Sequence, residues 1–294
     1  MESICLTPLD PAYPSRLRGL SSAPATLTVR GGPLEADRVV AIVGSREAHP
    51  EAVTFARKLA GELAREGVVV ASGGALGIDA AAHEGTLEAG GRTWCLAGTG
   101  ERHCFPPEHA ELFARIASGP GAMVWPFAPD LGARARLFHQ RNNVLVALSD
   151  AVVVVQAALQ SGALSTAARA LRQRKPLWVV PVSPWLLDEK DERCDFAGSR
   201  RLLDGGVRPL QAVGPLLGSL AHLVRNPRDR AASDAAGRLL AGLPAPLEPP
   251  LHLDEIAARA HLSPQAATAA LLTLALENVV VEGPPGFFRR RDAS

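Results

Sequence analysis

Three short stretches gather residue types suited to holding anions. In Ile42-Val43-Gly44-Ser45-Arg46, an apolar run ends in glycine, serine and arginine. Gly44 and Ser45 leave the strand there, so Arg46 projects over the carboxyl edge of a sheet, where its planar fork suits a phosphate. In Ser72-Gly73-Gly74-Ala75-Leu76-Gly77-Ile78-Asp79, glycines separate a Val-rich run from an Ala-rich one. Backbone N–H groups of Ser72, Gly73, Gly74 and Gly77 can close on an anion, helped by the positive end of the following helix. The third stretch pairs Phe138-His139-Gln140-Arg141-Asn142-Asn143 with the second glycine turn, Ser161-Gly162-Ala163-Leu164-Ser165-Thr166. It adds a cation at Arg141, an amide at Asn142, an aromatic face at Phe138 and hydroxyls at Ser161, Ser165 and Thr166. Two glycine turns and two arginines exceed what one mononucleotide needs; they fit a backbone with several phosphates.

The chemistry these stretches lack is equally informative. No lysine of the GKS or GKT kind follows either turn, the spacing is not GxGxxG, and no clear acidic ribose-binding residue follows the second strand. ATP hydrolysis and nicotinamide redox chemistry are therefore poorly supported. Asp79 and His83 stand four apart, on one face of a helix, but no Ser or Cys is spaced to act as their nucleophile. They read as a structural pair, with no catalytic residue, no metal site and no cofactor expected. Arg46 has a plainer reading as the partner of a loop carboxylate. The cysteines Cys5, Cys95, Cys104 and Cys194 form neither a CxxC pair nor zinc-site spacing, so they read as thiols of a reducing compartment.

The elements that must position these residues alternate. Strand-like runs at 38–44, 68–72, 92–97, 121–126, 151–157 and 176–182 are separated by helical patterns at 51–67, 78–91, 107–118, 136–149 and 162–175. The strand runs are continuously apolar, the pattern of strands buried on both faces of a parallel sheet. The expectation is an α/β domain, doubly wound, spanning 38–222, with its ligand at the strands' carboxyl ends. Residues 1–37 read as an irregular lead-in with one short strand at 26–30, and 223–250 as a polar, Pro-rich linker. Residues 251–291 read as helix, turn, helix and β-hairpin, a small winged-helix-like domain in which Ser263 caps the second helix before Pro264. With Glu255 and Glu277 on its helices, and its bases mostly at Arg289–Arg291, sequence-specific duplex reading is not expected of it.

The 294 residues carry a formal net charge of +1, so no global field draws the chain onto nucleic acid. The bases are unevenly placed. Between Leu131 and Leu187 stand Arg134, Arg136, Arg141, Arg169, Arg172, Arg174 and Lys175, against one acid, Asp150. Such a stretch marks a local anion site. With no signal-like N-terminus and no long apolar run, a cytoplasmic protein without membrane contact is expected.

In this order the motifs resemble those of the DNA-processing protein A family (DprA, also called Smf). The GSR at a strand end is matched by Gly44-Ser45-Arg46. The SGgAxGID motif with its later AH is matched by Ser72–Asp79 and by Ala82-His83. The GtG turn is matched by Gly98-Thr99-Gly100, and the SGsl-x-TA motif by the second glycine turn. The F-P-x-R-N-R motif is half matched, with His139 for Pro and Asn143 for the last Arg; Gln156 replaces the Glu usual after the preceding strand. The likeness covers about residues 7–210, and the tail is similar to the family's winged helix. It implies an extended Rossmann-like fold and a non-enzymatic protein that binds single-stranded DNA. It also implies loading of the recombinase RecA in natural transformation, and a homodimer. By motif position, Arg46, the Ser72–Gly77 turn and Arg141 would meet DNA phosphates, Ser161–Thr166 would line the pocket, and Phe138 could stack on a base. Two alternatives remain open. One is a nucleotide-binding or nucleotide-hydrolysing enzyme of the related superfamily, whose PGGxGTxxE turn lacks its Glu here; the other is a divergent adaptor.

Overall fold

The computed structural model describes residues 2–181, 195–221, 227–245, 248–276 and 279–291. Cys194, Glu277 and parts of the expected linker lie outside the described residues. The chain divides into two compact units, 1–7 with 16–224, and 8–15 with 225–294.

The larger unit carries strands β1 (Ile4–Leu6), β2 (Leu27–Gly31), β3 (Val39–Val43), β4 (Val69–Ser72), β5 (Thr93–Leu96), β6 (Ala122–Trp125), β7 (Ala151–Val154), β8 (Leu177–Val179) and β9 (Arg208–Pro209). Its helices follow the short α1 (Ser15–Arg18): α2 (Pro50–Arg65), α3 (Ile78–Glu88), α4 (Ala110–Ser118), α5 (Ala135–Leu148), α6 (Gly162–Arg172), α7 (Ala197–Asp204) and α8 (Val213–Leu220). One sheet runs β1-β2-β6-β5-β4-β3-β7-β8-β9. The strands from β6 to β9 are mutually parallel. Within that parallel set the chain enters at β3, winds outward through β4, β5 and β6, then returns to β7 and winds the other way. The order therefore reverses between β3 and β7, the position at which sheets of this kind leave a crevice at the carboxyl ends of their strands.

The apolar runs are buried as their continuity requires. Val40, Ile42, Val70 and Val153 form one core with Ala56, Leu59 and Leu63 of α2, Ile78 and Ala82 of α3, and Leu216 and Leu220 of α8. The alternate residues Ala41, Val43, Val152 and Val154 are buried too; α5 and α6, packed on each other and on β3, β7 and β8, cover that side. The lead-in departs from expectation. Its β2 pairs antiparallel with β6, Val29 opposite Val124, and β1 pairs antiparallel with β2. Val29 and Leu27 are buried, so this edge of the sheet is finished by residues preceding the first parallel strand.

The smaller unit contains α9 (Pro227–Gly242), β10 (Leu251–His252), α10 (Leu253–Arg259), α11 (Pro264–Leu276), β11 (Val280–Glu282) and β12 (Phe287–Arg290). The strands form an antiparallel sheet, β10-β12-β11. Three helices and this wing make a winged helix. Residues 227–242, expected within a linker, are its first helix. Ala235, Ala236, Leu239, Leu240 and Leu243 recur at helical spacing and join Ile256, Ala270 and Leu274 in the core. The polar first half of α9 hides that stripe in the sequence. Ser263 does cap α11, its hydroxyl accepting from the Ala266 amide at 3.3 Å. Among the described residues, no helix is long and apolar enough to cross a membrane, and no group of three or more His, Cys, Asp or Glu could hold a metal ion.

Candidate nucleic-acid interface

The first glycine turn leaves β4 at the carboxyl edge. Its anion is internal: one carboxylate oxygen of Asp79 accepts from the amides of Gly73, at 3.1 Å, and Ala75, at 3.3 Å. A carboxylate in the first turn of α3 thus takes the donors that a phosphate would want, and gains from the helix dipole. Ser72 is fully buried, its hydroxyl donating to the Ile42 carbonyl at 2.6 Å. Ser72 and Gly73, expected to meet phosphate, are committed to the protein itself.

Arg141 is also displaced from expectation. It is 5 % exposed and lies beneath the turn, donating from Nη1 to the Leu96 carbonyl. A Cβ on Gly73 would stand 2.5 Å from its Cζ, so glycine is what lets the guanidinium in. Burial pulls the Arg141 pKa down and the Asp79 pKa up; the charge of each opposes the other's shift. Asn142, next to it, is buried as well. The physical reason is periodicity: Arg141 and Asn142 share the helix face of Leu137, Val144, Leu145 and Leu148, which packs inward.

His83 does not pair with Asp79. Its Nδ1 stands 2.7 Å from the Thr93 hydroxyl, which itself donates to the Val70 carbonyl. With that proton spent, His83 Nδ1 must be the donor and Nε2 the bare nitrogen, which has no partner among the described residues. Burial, first, and the nearby His109 and Arg141 hold the His83 pKa down at about 3.

The remaining glycines lock two loops together. Gly44 leaves room for Ile78, whose Cγ1 would lie 2.5 Å from an added Cβ. Gly77 has φ 75°, and a Cβ there would lie 2.5 Å from the Arg46 carbonyl and closer still to that of Ser45. The Ile78 amide donates to the Ser45 carbonyl at 3.2 Å. Gly74 accommodates Cys95 and Phe113. These glycines serve close packing between loops more than approach to a ligand. Gln156, fully buried, braces the same loop: its carbonyl accepts from the His49 amide at 2.9 Å, and its NH2 donates to the Asp195 carbonyl at 3.2 Å.

What remains open at the edge is an aromatic and cationic platform. Arg46 is exposed, its guanidinium carbon 5.8 Å from the centroid of the Phe138 ring. Phe138 in turn tilts against Phe105, centroids 5.4 Å apart. Gly98 makes this possible, because a Cβ there would collide with the Phe138 ring. Phe105 is 39 % exposed and Leu76, at the tip of the first turn, 42 %. Across the switch point, Gly162 opens to solvent with nothing near its Cβ position. The Ser161 hydroxyl caps α6 by accepting from the Leu164 amide, while Thr166, buried, donates to the Gly162 carbonyl. Ser165 is half-buried, between His139 of α5 and Arg169 of α6. Ser45 is half-buried, its hydroxyl turned to the Glu47 carbonyl.

Of the expected residues, Arg46, Phe138, Ser45, Gly162 and Ser165 therefore reach the surface of the crevice. Ser72, Gly73, Gly74, Arg141, Asn142 and Thr166 build the floor under it. Sequence reasoning missed Phe105, seventh after Gly98 in an irregular loop, where no periodicity points to its meeting Phe138. It also took Gln156 only as a departure from a motif.

Residues 4–206 match the family model for DNA recombination-mediator protein A, and residues 225–286 that for the DprA winged helix domain. The chain is 32 % identical over 226 residues to the protein Smf of Synechocystis, covering 74 % of this chain and 54 % of that protein. It spans about half the length of the curated relatives it matches. A solved structure of DNA processing protein A from Helicobacter pylori, described by its single-stranded DNA binding mode, superposes with a TM-score of 0.63 at 29 % identity, over 76 % of this chain and 96 % of that one. The corresponding structure from Streptococcus pneumoniae gives 0.66 at 28 % identity, over 74 % of each chain.

Proposed function

We propose, for a chain that belongs to the DNA recombination-mediator protein A family, that the switch-point crevice binds single-stranded DNA. The observation that carries this reading is the Arg46–Phe138–Phe105 cluster at the open end of the sheet. Stacked bases want an aromatic face, and the phosphates between them want an exposed cation. A duplex hides its base faces and offers only its backbone to such a cluster, so the single strand is preferred.

Nothing in the floor asks for catalysis. Asp79 is tied to two backbone amides, His83 is buried and neutral, and the thiol of Cys95 is pushed well up by burial. The protein acts on this reading as a carrier. In line with its family, it delivers the strand to RecA in recombination during natural transformation, and does so as a homodimer in the cytoplasm. Arg46 and Phe138 hold the strand, and the Asp79–Arg141 floor fixes the loops that present them.

The test is a fluorescence-anisotropy titration with labelled oligo-dT, the matching duplex and a nucleoside monophosphate. Preferred binding of the single strand, weakening as salt rises, supports the reading. Tighter binding or turnover of the monophosphate would return the site to the nucleotide-enzyme class. Stimulation of RecA filament assembly, and the molar mass in solution by light scattering, check the delivery step and the dimer.

A further inference from the structure

The bases clustered in sequence between Leu131 and Leu187 are only partly used by the crevice. Helices α5 and α6 contain no Asp or Glu, while α2, α3 and α4 each contain at least one. Ion pairing follows the same division. Arg57 of α2 and Arg115 of α4 meet the α3 carboxylates Glu88 and Glu84. Among the described residues, no acid pairs with Arg136, Arg169 or Arg172.

The two helices run side by side in the same direction. His139 of α5 meets Ser165 of α6; Asn143, four residues on in α5, meets Gln173, eight residues on and just past the end of α6. Arg136, His139 and Asn143 make one stripe of α5; Ser165, Arg169 and Arg172 make the adjoining stripe of α6. Arg169 is held in place by bonds to the Ser165 carbonyl and hydroxyl. Burial, first, and the neighbouring charge of Arg172 lower the Arg169 pKa. Seven residues of α6, about 10 Å, separate Ser165 from Arg172. The seam begins at the crevice, since Phe138 and Ser165 stand at its upper end, and leads away from the sheet's carboxyl edge.

We propose that this seam is a second, extended phosphate track: DNA leaving the crevice lies along α5 and α6, with Arg136, Arg169 and Arg172 neutralising successive phosphates. The inference rests on the single-stranded DNA reading of the crevice. A polyanion is the occupant these residues fit, because the cations recur along a line with no acid between them, and no aromatic side chain of α5 or α6 accompanies Arg169 and Arg172 below Phe138. The seam therefore grips backbone without selecting bases.

The experiment compares an oligo-dT of about 6 nucleotides, which fills the crevice alone, with one of about 20. The protein is used as the full chain, unaltered, as Arg169→Ala/Arg172→Ala and as Arg46→Ala. Arg172 donates no side-chain hydrogen bond to a described residue and Arg169 bonds only to Ser165 of its own helix, so the double variant keeps its fold, which thermal unfolding checks. The double variant is expected to bind the short oligonucleotide as before. It should lose on the order of tenfold in affinity for the long one at ~0.1 M salt, with a salt slope shallower by roughly 1.4, since each phosphate neutralised on a single strand contributes about 0.7. Arg46→Ala should weaken both. If the double variant binds the long strand with unchanged affinity and slope, the track does not exist, while the crevice reading stands. If it keeps strand binding and loses only RecA stimulation, the seam is a protein-docking face and the inference is overturned. If neither oligonucleotide binds the unaltered protein, both readings fall together.

Discussion

Asp79 and Arg141 oppose their charges in the protein interior, 6 % and 5 % exposed, beneath a glycine turn whose amides the carboxylate has already taken. A turn of the phosphate-holding kind is thereby filled from within. The ligand surface is displaced outward, to the exposed side chains that this buried pair supports.

Removing either partner should be costly, and the two losses should not add. Asp79→Ala frees the Gly73 and Ala75 amides and leaves Arg141 uncompensated, an expected loss of about 3–5 kcal/mol. Arg141→Met alone should be comparable in kind. The double variant should lose less than the sum of the two, a coupling readable from urea denaturation of the four proteins.

Gly77→Ala should destabilise by at least ~1–2 kcal/mol, because φ 75° is strained for any residue with a Cβ. The added carbon would also push on the Ser45 and Arg46 carbonyls. The same variant should therefore weaken DNA binding although residue 77 touches no base. Gly218→Ala, in open space on α8, should leave both properties nearly unchanged and serves as the control.

Acid should unfold the protein partly through His83. The folded state holds it neutral to about pH 3, against an ordinary value of 6.5. The unfolded chain takes up a proton in that window, so its contribution to stability is complete above about pH 6.5 and is lost as pH falls toward 3. The urea midpoint should drop between pH 7.5 and 5, and drop less in His83→Gln. Equal pH slopes for the two proteins would contradict the assignment.

Phe138→Ala should cost about 1–3 kcal/mol of single-strand affinity, the range for losing one stacked base. Phe138→Trp should retain most of it. Phe105→Ala, which removes the support behind that ring, should fall between the two in the same anisotropy titration.

The parallel sheet was legible because strands buried on both faces write unbroken Val and Ile runs, as at Val68–Ala71 and Val152–Val155. The three glycine-bearing strand ends were legible for the same reason: a strand that stops at Gly44 or Ser72 must turn at the sheet's edge. The direction of a side chain was not. Nothing local separates Arg46, on a loop, from Arg141, on the inward face of an amphipathic helix, until Leu137, Val144 and Leu148 are seen to share that face. Phe105 meets Phe138 through a fold-level contact across 33 positions, which no window of sequence contains. Helix α9 was obscured because its apolar stripe begins only at Ala235, after a charged first half.

The most direct test of the central claim is the affinity of Arg46→Ala/Phe138→Ala for oligo-dT across a salt series, beside the unaltered protein. Loss of most single-strand affinity, a salt slope shallower by about 0.7 for the one lost phosphate contact, and an unchanged Tm are the predicted result. A folded double variant that binds with the original affinity and slope would show that the strand is held somewhere other than the Arg46–Phe138 platform.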